Sequence, residues 1–136
     1  MYSSELKWNY IPTAPSVWRY GGFDYEAGPI ALAGGPIVIN TLVITLTETS
    51  HIKIVASCMA GGMAAAQAEF SILRDGGALI TRGIADSGTA PTHTPYLDWV
   101  DENLVAGAYS YTFTGNDLAG TTNAISSTLI IDIAKA

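Results

Sequence analysis

Hydrophobic and polar residues alternate along most of this 136-residue chain. In the segment GAYSYTFTG (107–115), Tyr109, Tyr111 and Phe113 share one face of an extended backbone, and the serine and threonine side chains share the other. A repeat of two residues is the pattern of a half-buried β-strand. The same alternation recurs in segments that are separated by Gly, Asp, Ser, Thr and Pro. We therefore predict short antiparallel strands joined by turns.

Seven strands are predicted from Ile37 onwards. The strongest turn signal is Asp75-Gly76, because Asp-Gly supplies the positive φ angles that a type I′ hairpin needs. The acidic stretch 101–103 is predicted to be a turn, and residues 60–66 and 115–123 are predicted to be loops. The strands are expected at 37–47, 51–59, around 68–72, 79–85, 96–100, 107–115 and 127–133.

No segment has a clear helical pattern that could cover a sheet, so the strands must form two sheets that cover each other. The predicted fold class is all-β, an antiparallel β-sandwich. The residues expected to face its core are Leu42, Ile44, Leu46, Ala68, Phe70, Ile72, Leu129, Ile131 and Ile133.

Residues 1–36 differ from the rest in composition. They hold four of the six prolines and seven of the thirteen aromatic residues, and prolines with paired glycines interrupt regular structure. We predict an irregular N-terminal arm (1–36) preceding the sandwich domain (37–136). The arm either wraps its own sandwich or docks on a neighbouring subunit, and docking is the favoured alternative. The predicted docking residues are Tyr2, Trp8, Tyr10, Trp18, Tyr20, Phe23 and Tyr25.

The chain has few charges. Charged residues make up 13% of it, against roughly 25% in an average protein, so we expect much of the surface to contact other subunits. The net charge is −6 with six Lys and Arg in all, and we therefore expect no binding to nucleic acid.

Cys58 is the only cysteine, so no disulfide within the chain is expected. It alternates with Ile54 and Ala56, which predicts a small buried residue. We find no stretch of about 20 apolar residues that would span a membrane, and no basic-then-apolar signal peptide. The expected location is a virion, with a bacterial cell or spore surface as the alternative.

The acidic segment 98–103 is the strongest candidate ligand site. Asp98, Asp101 and Glu102 could supply part of the oxygen shell of Ca²⁺, or could bind a glycan beside Trp99; the alternative is a solvated acidic turn. Trp99 alternates with Leu97, which favours a core position over an exposed one that stacks on a ligand.

Other chemistry is not predicted. His51 and His93 have no Cys, Asp or Glu at zinc-ligand spacing, and no Gly-x-Ser-x-Gly elbow is present. We therefore expect no catalytic residue, no cofactor, no metal site and no enzymatic activity.

Four segments carry a resemblance to the jelly-roll domains of the C1q and tumour-necrosis-factor type. They are VITLTETSHIKIVAS (43–57), FSILRDGGALITRG (70–83), LVAGAYSYTFTG (104–115) and STLIIDI (127–133). The resemblance implies a jelly roll and homotrimers, in which Tyr109 and its neighbours face either the core or a three-fold axis. Similar modules occur in phage decoration and fibre-head proteins and in spore-surface or appendage subunits. Unlike many of these, the arm has no Gly-X-Y repeat and no cysteine.

Three functions follow as hypotheses. The first is a structural protein that forms homotrimers and decorates or builds a bacteriophage virion, with residues 1–36 contacting other coat or capsid proteins. The second is a polymerising subunit of a bacterial appendage or spore layer. The third is a receptor- or glycan-binding module.

Overall fold

The computed structural model describes residues 17–61, 66–86 and 92–136. Within these ranges it contains ten strands, and no helix there is long and apolar enough to cross a membrane. The strands are β1 (Arg19–Glu26), β2 (Ile30–Ala31), β3 (Ile37–Leu46), β4 (Ser50–Gly61), β5 (Gln67–Arg74), β6 (Ala78–Asp86), β7 (Thr92–His93), β8 (Tyr96–Leu104), β9 (Gly107–Ala119) and β10 (Asn123–Lys135).

The strands form two antiparallel sheets. The first sheet has the order β1-β10-β4-β7, with β2 also pairing with β10 and β8 also pairing with β4; the second has the order β3-β9-β5-β6. The predicted all-β sandwich is confirmed, and the chain crosses between the two sheets several times, as in a jelly roll. We call its two ends the Gly120 end, at the 120–122 turn, and the Asp75 end, at the 75–77 turn.

The core lies between the two sheets and is built from the alternating residues of each strand. Phe70, Tyr111 and Phe113 are fully buried, and the rings of Phe70 and Phe113 lie 5.7 Å apart. Tyr109 is partly buried against the same cluster. The aromatic residues of β9 thus face the sandwich core. Most predicted core positions are buried, and Leu42 and Ile133 are partly so.

Asn40 connects the two sheets along one side. Its Nδ2 donates to Asp24 Oδ2 at 3.0 Å and to the Ser127 carbonyl oxygen at 3.3 Å, on β1 and β10 respectively. A register shift between Val38 and Asn40 turns this amide inward, next to Ile39. The shift explains why a polar residue is buried in a strand whose sequence alternates.

The β5–β6 hairpin has the predicted turn. Asp75 and Gly76 both have positive φ, 52° and 77°, as a type I′ geometry requires. Asp75 also fixes the turn to β9, since its Oδ1 accepts a hydrogen bond from the Ser110 N–H at 3.0 Å and its own N–H donates to the Ser110 carbonyl.

Part of the segment predicted as an irregular arm is regular. β1 and β2 lie within residues 19–31 and pair with β10, so this part wraps its own sandwich. The paired glycines are accommodated because β1 is an edge strand with a register shift between Tyr20 and Gly22; edges tolerate bulges that a central strand does not. Tyr2, Trp8 and Tyr10 lie outside the described residues.

One predicted turn and part of one predicted loop are strands in the structure. Residues 101–103 belong to β8, which pairs with β4 as far as Leu104, and a register shift with Asn103 at a φ of 56° absorbs one extra residue. Asn116 and Asp117, predicted to lie in a loop, belong to β9 and pair with Glu69 and Ala68. Acidic and amide residues favour loops locally, but strand pairing overrides that preference here. Of the predicted loop at 60–66, residues 62–65 lie outside the described ranges.

Cys58 is buried, as predicted, and burial raises the pKa of its thiol to about 12. An unfolded thiol ionises near pH ~8.5, so above that pH the unfolded chain binds fewer protons than the folded one. We therefore predict that the free energy of unfolding falls with rising pH by up to ~1.4 kcal/mol per unit, and that Cys58→Ala removes this contribution. Urea denaturation of both proteins at about pH 7.5 and about pH 10 measures it. Equal losses in the two proteins would contradict the prediction.

Candidate assembly surface

The outer face of the first sheet carries a set of exposed aromatic and aliphatic side chains. Strand register places them in rows across the sheet: Phe23 lies opposite Ile130, and Tyr25 lies in the row that ends at Tyr96. We call this set the aromatic face. Its members are Tyr20, Phe23, Tyr25, Met59, Tyr96 and Ile130.

The members of the aromatic face are unusually exposed for their size. Tyr20 is 67% exposed, Tyr96 61% and Phe23 58%, whereas large aromatic residues are mostly buried in globular proteins. The Tyr20 and Phe23 rings are neighbours, with centroids 6.5 Å apart. A contiguous exposed apolar surface of this kind is typical of an interaction site.

A bulge in β1 brings Tyr20 and Phe23 to the same face. Residues three apart on a regular strand point to opposite sides, but the register shift between Tyr20 and Gly22 adds one residue. Glycine suits the bulge: a Cβ at Gly21 would lie 2.9 Å from Ile133 Cδ1, and Gly22 has a φ of 151°. The Gly-Gly pair therefore allows one face to hold both aromatic side chains.

Charge is sparse on this face. Along the outer sides of β4 and β10 the charged residues are Lys53 and Asp132, which the register places opposite each other. Asp98 lies on the same side of β8, opposite Val55. The centre of the face, around Ile130 and Val55, is uncharged, so little polar solvation is lost when it is covered.

Four of the seven predicted docking residues lie in the described part of the chain. Trp18, which precedes β1, is 38% exposed, and Tyr25, on β1, is 51% exposed. Tyr20 and Phe23 lie between them on β1. Docking by these four remains a prediction, although their exposure is compatible with it.

The acidic segment predicted as a ligand site is a strand whose side chains point to both faces. Asp98 lies on the outer face opposite Val55, and Asp101 lies on the inner face opposite Ile52. Alternation along a strand thus separates carboxylates that are close in sequence. In the described part of the chain, no three His, Cys, Asp or Glu residues are grouped so that they could hold a metal ion.

Trp99 is not a core residue, contrary to the expectation from its alternation with Leu97. It lies opposite Ile54 on the inner side of β8 but is 50% exposed. β8 borders the first sheet, and a side chain as large as Trp reaches the rim of the sandwich there. Leu97 is smaller and is buried.

Asp101 connects the two sheets at the Asp75 end. Its Oδ2 accepts a hydrogen bond from the Tyr111 hydroxyl at 2.9 Å and forms an ion pair with Arg74. Burial raises the pKa of Tyr111, and the hydrogen bond to Asp101 raises it further. The pKa of Arg74 is raised mainly by its hydrogen bond to Asp101. Asp101 therefore has a structural partner for its charge rather than a free coordination position.

The structure describes the side chain of one of the two histidines. His51 is buried, and its Nδ1 accepts a hydrogen bond from the Asn103 N–H at 3.2 Å. His93 lies in β7, and its side chain is outside the described part.

Among the residues that the sequence singled out, the structure brings Tyr20, Phe23, Tyr25 and Tyr96 together on one face. It divides the acidic segment between Asp101, which connects the two sheets, and the exposed Asp98, Trp99 and Glu102.

The chain is similar to solved structures but matches no known family. No protein-family model matches the chain, and no curated protein matches it. The structure of infectious bursal disease virus, Gx strain, is similar with a TM-score of 0.53 at 14% identity, over 88% of this chain and 34% of the viral chain. The VP2 subviral particle of the same virus gives the same TM-score over 89% and 34%.

Latent PorU from Porphyromonas gingivalis has a TM-score of 0.51 at 9% identity, over 90% of this chain and 14% of that chain. The chain spans about a third of the viral protein that it resembles. Identities this low support the jelly-roll fold and nothing finer. A C1q-type or tumour-necrosis-factor-type relationship, which the sequence suggested, is not confirmed.

We predict that Asp101→Ala lowers the free energy of unfolding by about 2–3 kcal/mol, because it leaves the buried Tyr111 hydroxyl and the Arg74 guanidinium without their acceptor. Chemical denaturation measures the change. The matched control is Asp98→Ala, which removes an exposed carboxylate from the same strand and is expected to cost less than about 0.5 kcal/mol. Equal losses in the two variants would show that Asp101 does not stabilise the contact between the sheets.

Proposed function

We propose that this chain is a non-enzymatic structural subunit that packs against copies of itself through the aromatic face. The observation that supports the proposal best is the exposure of Tyr20, Phe23, Tyr25 and Tyr96 on one side of one sheet. The jelly-roll fold supports it more generally, because two sheets with hydrogen-bonded strands give a rigid platform for such a face.

The size of the face is suitable for a stable interface. β10, the longest strand of the face, has 13 residues. With a rise of ~3.4 Å per residue along the strand, and four strands spaced ~4.8 Å apart across the sheet, the outer face covers roughly 800 Å². A standard protein interface buries about 800 Å² on each partner. The aromatic side chains lie within this area, and Tyr and Phe are enriched in the buried cores of interfaces.

A second copy of the chain is the occupant that the surface chemistry favours. The chain has a net charge of −6, so copies repel unless their contact avoids acidic residues. The centre of the aromatic face is uncharged, and Lys53 lies beside Asp132 within it. Copies can therefore bury the centre of this face while Asp132 lies next to Lys53 and Asp98 lies on the border strand β8.

A closed homotrimer that decorates or builds a larger particle, such as a bacteriophage virion, is the assembly we favour. The trimer rests on the sequence resemblance to trimeric jelly-roll domains. Residues 1–36 would provide further contacts to coat or capsid proteins. An open contact between the aromatic face and another surface would instead generate a filament, as in an appendage or spore-layer subunit.

We predict that Phe23→Asp weakens self-association at least ~10-fold, because it brings one added negative charge per subunit into an apolar contact. Multi-angle light scattering over a concentration series measures the assembly state. The control is Val43→Asp on β3, where the replaced residue is 62% exposed, compared with 58% for Phe23. Thermal unfolding of both variants checks that each is folded.

Each result of this experiment decides something. A wild-type trimer that dissociates in Phe23→Asp and persists in Val43→Asp supports the proposal. Long polymers that depend on Phe23 favour the filament subunit. A wild-type monomer at every concentration excludes self-assembly, and equal effects of the two variants exclude the aromatic face as the interface.

A glycan-binding function is a second candidate, and the exposure of Trp99 favours it. The half-exposed indole offers a stacking surface at the border of the sheet, and the exposed Asp98 and Glu102 on the same strand are hydrogen-bond acceptors. Sugar rings are bound by aromatic faces with polar groups at their edges.

We predict for this candidate that Trp99→Ala abolishes binding to whichever glycan the wild-type protein retains on a glycan array, because the stacking surface is removed. Calorimetric titration of that glycan measures the loss. Trp18→Ala, which removes another exposed tryptophan, is expected to leave the affinity unchanged. No retained glycan, or equal losses in both variants, would exclude a Trp99 site.

A further inference from the structure

Asp117 holds a carboxylate that is buried and has no partner. Both of its oxygens are inaccessible to solvent, and neither forms a hydrogen bond. The hydroxyl of Thr122, a residue that is 2% exposed, is also buried without a partner. Buried polar groups are nearly always hydrogen-bonded, so two orphans near the same turn require an explanation.

Backbone contacts place Asp117 and Thr122 on either side of Leu32. The Asp117 N–H donates to the Leu32 carbonyl oxygen at 3.4 Å, and the Leu32 N–H donates to the Thr122 carbonyl oxygen at 3.1 Å. Asp117 lies opposite Ala68, which is fully buried on the inner face of β5. Directly paired residues share a face, so the carboxylate points between the two sheets at the Gly120 end.

The counter-charge for this carboxylate does not come from the lysines and arginines whose side chains the structure describes. Arg74, on β5, is six residues beyond Ala68, about 20 Å away along the strand. Lys53, Arg19 and Lys135 all pair with residues near the Asp75 end. The described cations are thus concentrated at one end of the sandwich, while Asp117 is at the other.

An ionised carboxylate in such a place is costly. Without a counter-ion or hydrogen-bond donors, its burial opposes folding. The amide nitrogen of Asn40, by comparison, donates to three oxygens, while the neutral Asn40 Oδ1 is buried without a partner. The polar side-chain atoms of Asp117 and Thr122 are all oxygens, which are the ligand atoms that hard cations prefer.

We propose that Asp117 and Thr122 bind a calcium ion between the β9–β10 turn and the segment that leads from β2 to β3. The carboxylate would supply the negative charge and the Thr122 hydroxyl a neutral oxygen, with backbone carbonyls and water completing the six to eight ligands of Ca²⁺. The all-oxygen set suits Ca²⁺ better than Zn²⁺, which prefers nitrogen and sulfur. The ion would hold the Leu32 segment against the end of β9 and so stabilise the Gly120 end.

No local pattern in the sequence points to this site. Asp117 lies in the stretch Gly-Asn-Asp-Leu-Ala-Gly, which has the composition of a solvated loop. Its burial follows from the pairing of β9 with β5 across residues 116–119. The site is separate from the aromatic face, so its test does not depend on the state of assembly.

The experiment uses the full chain, stripped of metal with EDTA and then titrated with CaCl₂ alone. Calorimetry measures binding, and thermal unfolding measures stability. We expect one ion to bind per chain, and Tm to rise by roughly 10 °C when free Ca²⁺ exceeds its Kd about 100-fold. Asp117→Asn should abolish both effects, and Thr122→Val should weaken the affinity about 10-fold.

The matched control is Glu48→Gln, which removes an exposed carboxylate near the opposite end of the sandwich. It should respond to Ca²⁺ as the wild-type protein does. In EDTA, Asp117→Asn should unfold at a temperature equal to or above that of the wild-type protein, because it no longer buries a bare charge; with Ca²⁺ present the order should reverse. This reversal in the order of the two unfolding temperatures is expected only if a cation binds the carboxylate. A carboxylate that is protonated or hydrated instead would give the same order with and without Ca²⁺.

Several results would overturn the proposal. They are the absence of calcium binding to the wild-type protein, an unchanged response in Asp117→Asn, and an Asp117→Asn variant that is less stable in EDTA than the wild-type protein. If Asp117→Asn does not fold, Thr122→Val decides, since a wild-type calcium affinity in that variant excludes the site.

Discussion

The pairing of β10 with β4 on one side and β1 on the other is the interaction on which the rest of the structure depends. β10 has 13 residues, and its register with β4 runs from Asn123 to Lys135 with one shift. Because alternate residues of a strand point to opposite faces, this register directs Leu129 and Ile131 into the core and Ile130 outward. It also joins the C-terminal strand to the first strand of the sandwich, so the aromatic residues of β1 lie beside Ile130.

The buried carboxylates at the two ends of the sandwich differ in their hydrogen-bond and ion-pair partners. Asp101, at the Asp75 end, has both an ion pair with Arg74 and a hydrogen bond from Tyr111, which lies in the other sheet. Asp117, at the Gly120 end, has neither. The same physical rule, that buried charge must be compensated, thus explains a stabilising bridge at one end and leads to a proposed calcium ion at the other.

The low charge content of the chain is explained by the apolar outer side of the first sheet. The outer side of the first sheet exposes tyrosine, phenylalanine and isoleucine, while Lys53 and Asp132 lie opposite each other in one row. Such a surface is poorly suited to permanent contact with water and well suited to contact with protein. This is why we favour a structural subunit, with Trp99 at the sheet border as the feature that best supports a binding module instead.

The sequence by itself determined the fold class and most of the core, because these depend on a repeat of two that can be seen locally. The alternation around Phe70, Ile72 and Leu129 directs these residues inward whatever the strand order, and Asp75-Gly76 specifies its own hairpin. Only the tertiary structure decided where the edges lie. β1 was missed because its Gly-Gly bulge resembles a break until β10 is beside it, and Trp99 was misjudged because exposure depends on β8 bordering the sheet. Asp117 and Asp101 resembled solvated loop residues because their burial is produced by strands distant in sequence, and no local pattern contains that information.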